Sequence, residues 1–311
     1  MLRRPQAQAN LARAEGCSPA RHPGASTVLG VSSLVEALGY PPAARLLIIT
    51  ADDLGVSFAT NSAVYESLRA GVATSAGLAV PGPWAREAAA RYRGEDVGAH
   101  LTLNAEYDLY RWGPLTHAPS LLDGEGGFPR TPVDLWEHAD LDEVRKECRA
   151  QVERAIYWGF DVSHLSAHLG ALELRPEFFD IALQLAGEFR LPLRLAGTDQ
   201  QRRAGFPFRQ LAAEAGVVCP DRLLRAPRGQ SARAAVDQVL ADLPPGVTEL
   251  VLRPARDSEE LRAVMPDWAA RVEDYDIAMA KRALQALFDR TGLAVTSYRA
   301  LRDLQQATGP P

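Results

Sequence analysis

The sequence predicts an α/β fold, a TIM-barrel-like (β/α) barrel in a single domain, with the regularity of its closure left open. Three observations predict it. From Arg45 onward, short apolar runs alternate with longer stretches of helical spacing, the pattern of repeated βα units and parallel strands. The first run, Leu46 to Thr50, is nearly all apolar, as a strand covered by helices on both faces must be. The length, 311 residues, suits one such barrel, which commonly needs about 250 residues or more.

Taken in order, residues 1 to 28 are rich in Ala, Arg, Gln, Pro and Gly and hold no period long enough to bury a face, which predicts a loose extension before a domain spanning 29–311. A short amphipathic segment follows at Ser33 to Leu38. The first strand runs out at Ala51-Asp52-Asp53, and Ser57 is placed to cap a helix that passes through Ala63, Val64 and Leu68 and stops at Gly71. Seven more strands are predicted: Ala73 to Val80, Val97 to Leu101, Val162 to Ser166, Leu191 to Leu195, Leu223 to Ala226, Glu249 to Leu252 and Ala294 to Ser297. Helices are predicted at Trp84 to Tyr92, Leu141 to Trp158, Pro176 to Phe189, Ala232 to Leu243 and Ile277 to Arg290. Pro176 suits a first-turn position, where its missing N–H would have been unpaired anyway. Asn104 to His138 is the longest irregular stretch, with turn signals at Asp123-Gly124 and Gly126-Gly127, and a loop of that length in a domain is usually functional.

Composition narrows the partners. A net charge of -5 gives no general attraction to nucleic acid or to anionic membrane. The partner expected is therefore a small molecule, with a homodimer left open. No stretch approaches the roughly 18 apolar residues of a membrane span. Three cysteines, Cys17, Cys148 and Cys219, are odd in number, far apart and without CxxC spacing, which fits a reducing cytoplasm.

Chemistry concentrates at three strand ends. Asp52 and Asp53 follow the first apolar run; two adjacent carboxylates repel and lose hydration unless a cation or hydrogen bonds offset the cost. One of them could instead cap the next helix. His100 ends another apolar strand, and His164 and His168 flank a third. Each is ordinary alone, since a lone buried histidine is often satisfied by backbone. Their placement is not: Asp53, His100 and His168 fall at or just beyond the C-terminal ends of different strands, where α/β barrels assemble their sites. Two imidazoles and one carboxylate leave coordination positions open for water and substrate, the arrangement of a catalytic metal. Asp52 is then available to take a proton from that water. No GxSxG, GxGxxG, Walker, HExxH or CxxC motif offers a competing chemistry.

From about Leu46 to Arg302 the chain resembles the YdjC-like carbohydrate deacetylases. The resemblance rests on Ala51-Asp52-Asp53-Leu54-Gly55, on Val97-Gly98-Ala99-His100-Leu101-Thr102-Leu103 and on Ser163-His164-Leu165-Ser166-Ala167-His168. It implies a TIM-barrel-like fold, a divalent metal, Mg2+ before Zn2+ or another transition metal, and removal of an acetyl group from an N-acetylated sugar or related amide. Carried over by position, it implies Asp53, His100 and His168 as metal ligands and Asp52 as general base. The chain departs from the family pattern twice. Where the family writes Thr-His-x-Asp-Ser-His-x-His, Ser166 replaces the Asp and Gly170 the last His, which removes an expected partner of a ligand. Where the family carries His-Pro, this chain has Arg253-Pro254, and an arginine, with a pKa above about 12, is a poor proton donor to a leaving amine. Arg253 is read as a contact for an oxyanion or substrate, or else as a rim salt bridge. Glu106, Tyr110, Arg111 and Trp112, in the long loop, are expected substrate contacts, because aromatic faces stack on sugars and Arg can bond hydroxyls. Two alternatives follow from the departures and the fold: a family member that binds sugar or metal without turnover, and a glycoside hydrolase using Asp52 and Glu106.

Overall fold

Nine of the ten residues of β1 (Arg45–Leu54) are buried, because parallel strands pair with it on both edges. The computed structural model describes residues 33–226 and 232–308; the expected extension, residues 1–28, lies outside them. The other strands are β2 (Ser75–Leu78), β3 (Val97–Leu101), β4 (Val162–Ala167), β5 (Arg222–Arg225), β6 (Gly246–Leu252) and β7 (Leu293–Val295). Their hydrogen-bonded order is β4-β3-β2-β1-β6-β5, all parallel, and β7 pairs with the first residues of β1.

The sheet curls. Arg194, in the segment that bridges to β4, reaches carboxylates carried by the middle strands β1 and β6 at 2.6 Å, so the β4 edge of the sheet turns back over its centre. Among the described residues seven strands form rather than eight. The predicted strand Leu191 to Leu195 makes only an isolated bridge, Leu193 to Leu165. Pro192 within it has no N–H to donate, which limits the ladder it can make. The regularity left open from the sequence is settled as a curled sheet in which no ladder joins this segment to β5 among the described residues.

Helices cover the strands as their caps dictate. Ser57 accepts from the Thr60 N–H and starts the helix Phe58–Arg69; Asp140 starts Leu141–Tyr157; Pro176 opens Pro176–Glu188 at its first position. Ser33 caps the four-residue helix Leu34–Ala37. The single helix predicted at Ile277 to Arg290 is instead the end of Trp268–Met279 and then Lys281–Thr291, because Ala280 leaves helical geometry at ψ 44°. Within Asn104 to His138 the structure forms a helix, Pro132–His138, capped by Thr131, and one turn at Pro119–Leu121. No helix among the described residues is long and apolar enough to cross a membrane.

Candidate metal centre

In a regular strand Asp52 and Asp53 would face opposite ways. The register of β1 against β2 shifts between Ala51 and Leu54, and Asp53 takes φ 68°, a left-handed conformation that Asp tolerates better than most residues. That irregularity turns both carboxylates into one cavity of about 330 Å³, shared with His100, His168, Glu173 and Arg253. The volume falls in the usual range of small-molecule sites.

Two histidines meet them there. His100 is on β3, and its cross-strand partner on β4 is Ser166. Their side chains are therefore neighbours, with His100 Nδ1 2.7 Å from Ser166 Oγ. His168 begins the turn that follows β4, and its Nε2 lies 3.0 Å from Glu106 Oε2. When each of these nitrogens donates to its oxygen, His100 Nε2 and His168 Nδ1 are left with bare lone pairs, 3.2 Å apart. Asp53 Oδ1 lies 3.8 Å from His168 Nδ1 and is a buried acceptor with no hydrogen-bond donor among the described residues. Ligand atoms of Asp53, His100 and His168 all lie within 4.8 Å of one another. Three buried ligand atoms this close together, one of them an ionised oxygen with no hydrogen-bond donor among the described residues, fit a divalent cation.

The surrounding charges ionise Asp53 and Asp52 and leave His100 neutral, while they pull His168 toward its protonated form. Burial opposes ionisation of Asp53, but Arg271, whose Nη1 is 2.8 Å from Oδ2, and then His168 hold its carboxyl well below the usual range. Burial likewise lowers His100, to about 4 against the pull of Asp52, so its ring is neutral at physiological pH. For His168, burial is outweighed by Glu106, and its pKa is raised. Burial also works against Asp52, yet Arg194 keeps it ionised; both its oxygens accept from Arg194, at 2.6 and 3.0 Å.

The sequence missed several of these partners. Ser166 was expected to leave a ligand unsupported; its shorter side chain still bonds His100, because the register sets the two directly opposite. Arg194 is fully buried between Asp52 and Glu249, and a charge inside the apolar run Leu191 to Leu195 was the available signal. Arg271 gave none. Glu106 touches His168 rather than standing free for substrate. Arg253 does line the cavity, and also pairs with Asp267 at 3.1 Å. Tyr110, Arg111 and Trp112 do not line it. Tyr110 donates to the Val56 carbonyl at 2.7 Å, Trp112 to that of Asn104 at 3.0 Å, and Arg111 binds Asp123 and the carbonyls of Ala105 and Phe128. Their polar atoms hold the long loop together. His164 is also away from the site, stacked on Tyr298 with ring centroids 3.7 Å apart.

Residues 46–289 match the family described as YdjC-like protein. A carbohydrate deacetylase of Thermus thermophilus is 37% identical over 248 residues, 78% of this chain and 89% of that protein. One from Thermoanaerobacter pseudethanolicus is 25% identical across 83% of this chain and its own whole length. A chitooligosaccharide deacetylase of Serratia marcescens is 31% identical over 51% of this chain and 62% of its own. In fold, a crystal structure of a protein from Enterococcus faecalis V583 superposes with a TM-score of 0.71 at 23% identity, covering 83% of this chain and 99% of that one.

Proposed function

We propose, from the premise that this chain belongs to the YdjC-like family, that it is a carbohydrate deacetylase releasing acetate from an N-acetylated sugar. The observation that carries the reading is the convergence of Asp53, His100 and His168 on one point of a cavity that Asp52 also lines. A divalent cation held by Asp53, His100 and His168 would supply Lewis-acid polarisation of the acetamide carbonyl and of the attacking water. Asp52, held ionised and oriented by Arg194, accepts the water proton, a contribution of about 10² to 10⁴ in rate for a positioned base. Arg253 sits where it can bind the substrate's oxygens or the developing negative charge. Ser166 and Glu106 fix the two imidazoles in the required tautomers.

Magnesium is the ion implied by the resemblance, while two nitrogen donors of three suit zinc or another transition ion. The two free cysteines among the described residues, Cys148 and Cys219, suit a reducing cytoplasm. The reading without turnover draws on Arg253 and Ser166; Ser166 still lies within hydrogen-bond distance of His100, and Arg253 leaves the proton donor to be found elsewhere. The glycoside hydrolase alternative needs Glu106 as an acid; burial raises its pKa, but His168 outweighs that and keeps it ionised. The test is acetate release from N-acetylated amino sugars by the purified protein. Turnover should vanish with a chelator and return with added Mg2+ or Zn2+. A metal-binding protein that frees no acetate from any of them rules the proposal out.

A further inference from the structure

Hydrolysis of an acetamide needs two proton transfers, and the residues assigned so far provide one. Asp52 can accept a proton from water, but the departing nitrogen must receive one, since an amide anion is too basic to leave. A guanidinium is in general a poor proton donor, and Arg253 is paired with Asp267. His100 and His168 are assigned as the cation's ligands, and their other ring nitrogens face Ser166 Oγ and Glu106 Oε2.

Glu173 is the remaining acid of the cavity. After His168 the chain turns back: Leu169 takes φ 52° and Gly170 φ 71°, and the Glu173 N–H donates to the Gly170 carbonyl at 3.0 Å. This reversal returns the Glu173 side chain to the cavity that Asp52, Asp53, His100 and His168 line. The residue is 4% exposed. One carboxyl oxygen accepts from the Ala196 N–H at 3.2 Å, and among the described residues that is its sole hydrogen bond. Asp52 and Asp53 each have a guanidinium within 2.8 Å, whereas Glu173 has no ion pair among the described residues. The charges facing it are Arg225 and Arg194, with Glu249 opposing them, and Arg194 is already shared between Asp52 and Glu249.

We propose that Glu173 is the proton donor to the leaving amine, the part a histidine would take where this chain has Arg253. The assignment rests on the deacetylase reading. As the tetrahedral intermediate collapses, the C–N bond breaks and its electron pair stays on nitrogen. The Glu173 O–H proton forms the new N–H bond. The sugar leaves as a free amine and the acyl group as acetic acid, which ionises. Asp52 returns to solvent the proton it took from water, and Glu173, left as carboxylate, takes one up. Burial pushes the Glu173 pKa up to about 7 against Arg225 and Arg194, so a sizeable fraction is protonated at neutral pH.

The discriminating variable is the leaving group. N,N′-diacetylchitobiose needs its nitrogen protonated, while 4-nitrophenyl acetate releases a phenolate that does not. With metal-loaded full-length protein, Glu173→Gln should lower kcat/KM on the amide by about 100-fold or more and on the ester at least tenfold less. The acid form is the active one, so wild-type kcat/KM on the amide should fall as pH rises through about 7, a limb absent on the ester and lost in the variant. Should Glu173→Gln fail to fold, the two wild-type pH profiles carry the test alone. A variant that keeps amide turnover within threefold or loses both substrates in parallel, or a wild-type alkaline limb shared by both substrates or missing from both, overturns the assignment. Wild-type protein that binds metal yet releases no acetate overturns the deacetylase reading and this assignment with it; an active wild type with an indifferent variant overturns Glu173 alone.

Discussion

Ser166 carries no charge, yet its hydroxyl, 2.7 Å from His100 Nδ1, can accept from that nitrogen and leave Nε2 bare. Removing its hydroxyl frees the ring to take either tautomer and to turn. Metal affinity of Ser166→Ala should drop about 10- to 100-fold, as measured by calorimetric titration with Zn2+, without a matching loss of thermal stability. An unchanged affinity would remove Ser166 from the site. At this scale the sequence was most legible where a polar residue stands at the end of an apolar strand. Asp53, His100 and His168 all do, and the structure brings the three together. It was least legible where a partner comes from far along the chain. Arg271 reaches Asp53 across 218 positions and Arg194 reaches Asp52 across 142, and nothing local to either arginine marks its target.

At the scale of elements, the irregular end of β1 matters most. It needs room beside it, and β2 provides that room with Gly77. A Cβ there would meet Asp52 Oδ1 at 2.6 Å and the His100 Cβ at 3.3 Å. The carboxylate cannot swing aside freely, because Arg194 holds both its oxygens. Gly77→Ala should therefore displace Asp52 and cut kcat for acetate release by about 100-fold or more, the scale of a misplaced catalytic group. Metal affinity, set by Asp53 and the imidazoles, should change far less. Equal losses in both would mean that the whole site had moved. The sequence located β1 and ended it at the two aspartates, but the bulge and the positive φ of Asp53 depend on pairing with β2, which no local pattern encodes.

Across the molecule, alternating apolar runs and helical stretches announced a parallel α/β barrel, and a parallel curled sheet is what forms. The detail that escaped is how it closes. Leu191 to Leu195 reads as a strand by hydrophobicity; Pro192 limits its ladder, and Arg194 is bound by carboxylates from β1 and β6. A stretch that looked like one more stave thus supplies the charge that fixes Asp52. The arrangement as a whole gathers Asp53, His100 and His168 from β1, β3 and the turn after β4 at one end of the sheet, as a group that could hold a metal ion. The most direct measurement is a crystal structure of the protein soaked with a divalent metal. One ion should be bonded to Asp53 Oδ1, His100 Nε2 and His168 Nδ1 at about 2.0 to 2.3 Å, with the cavity side of the ion open to water. An ion bound elsewhere, or none at saturating concentration, would contradict the account.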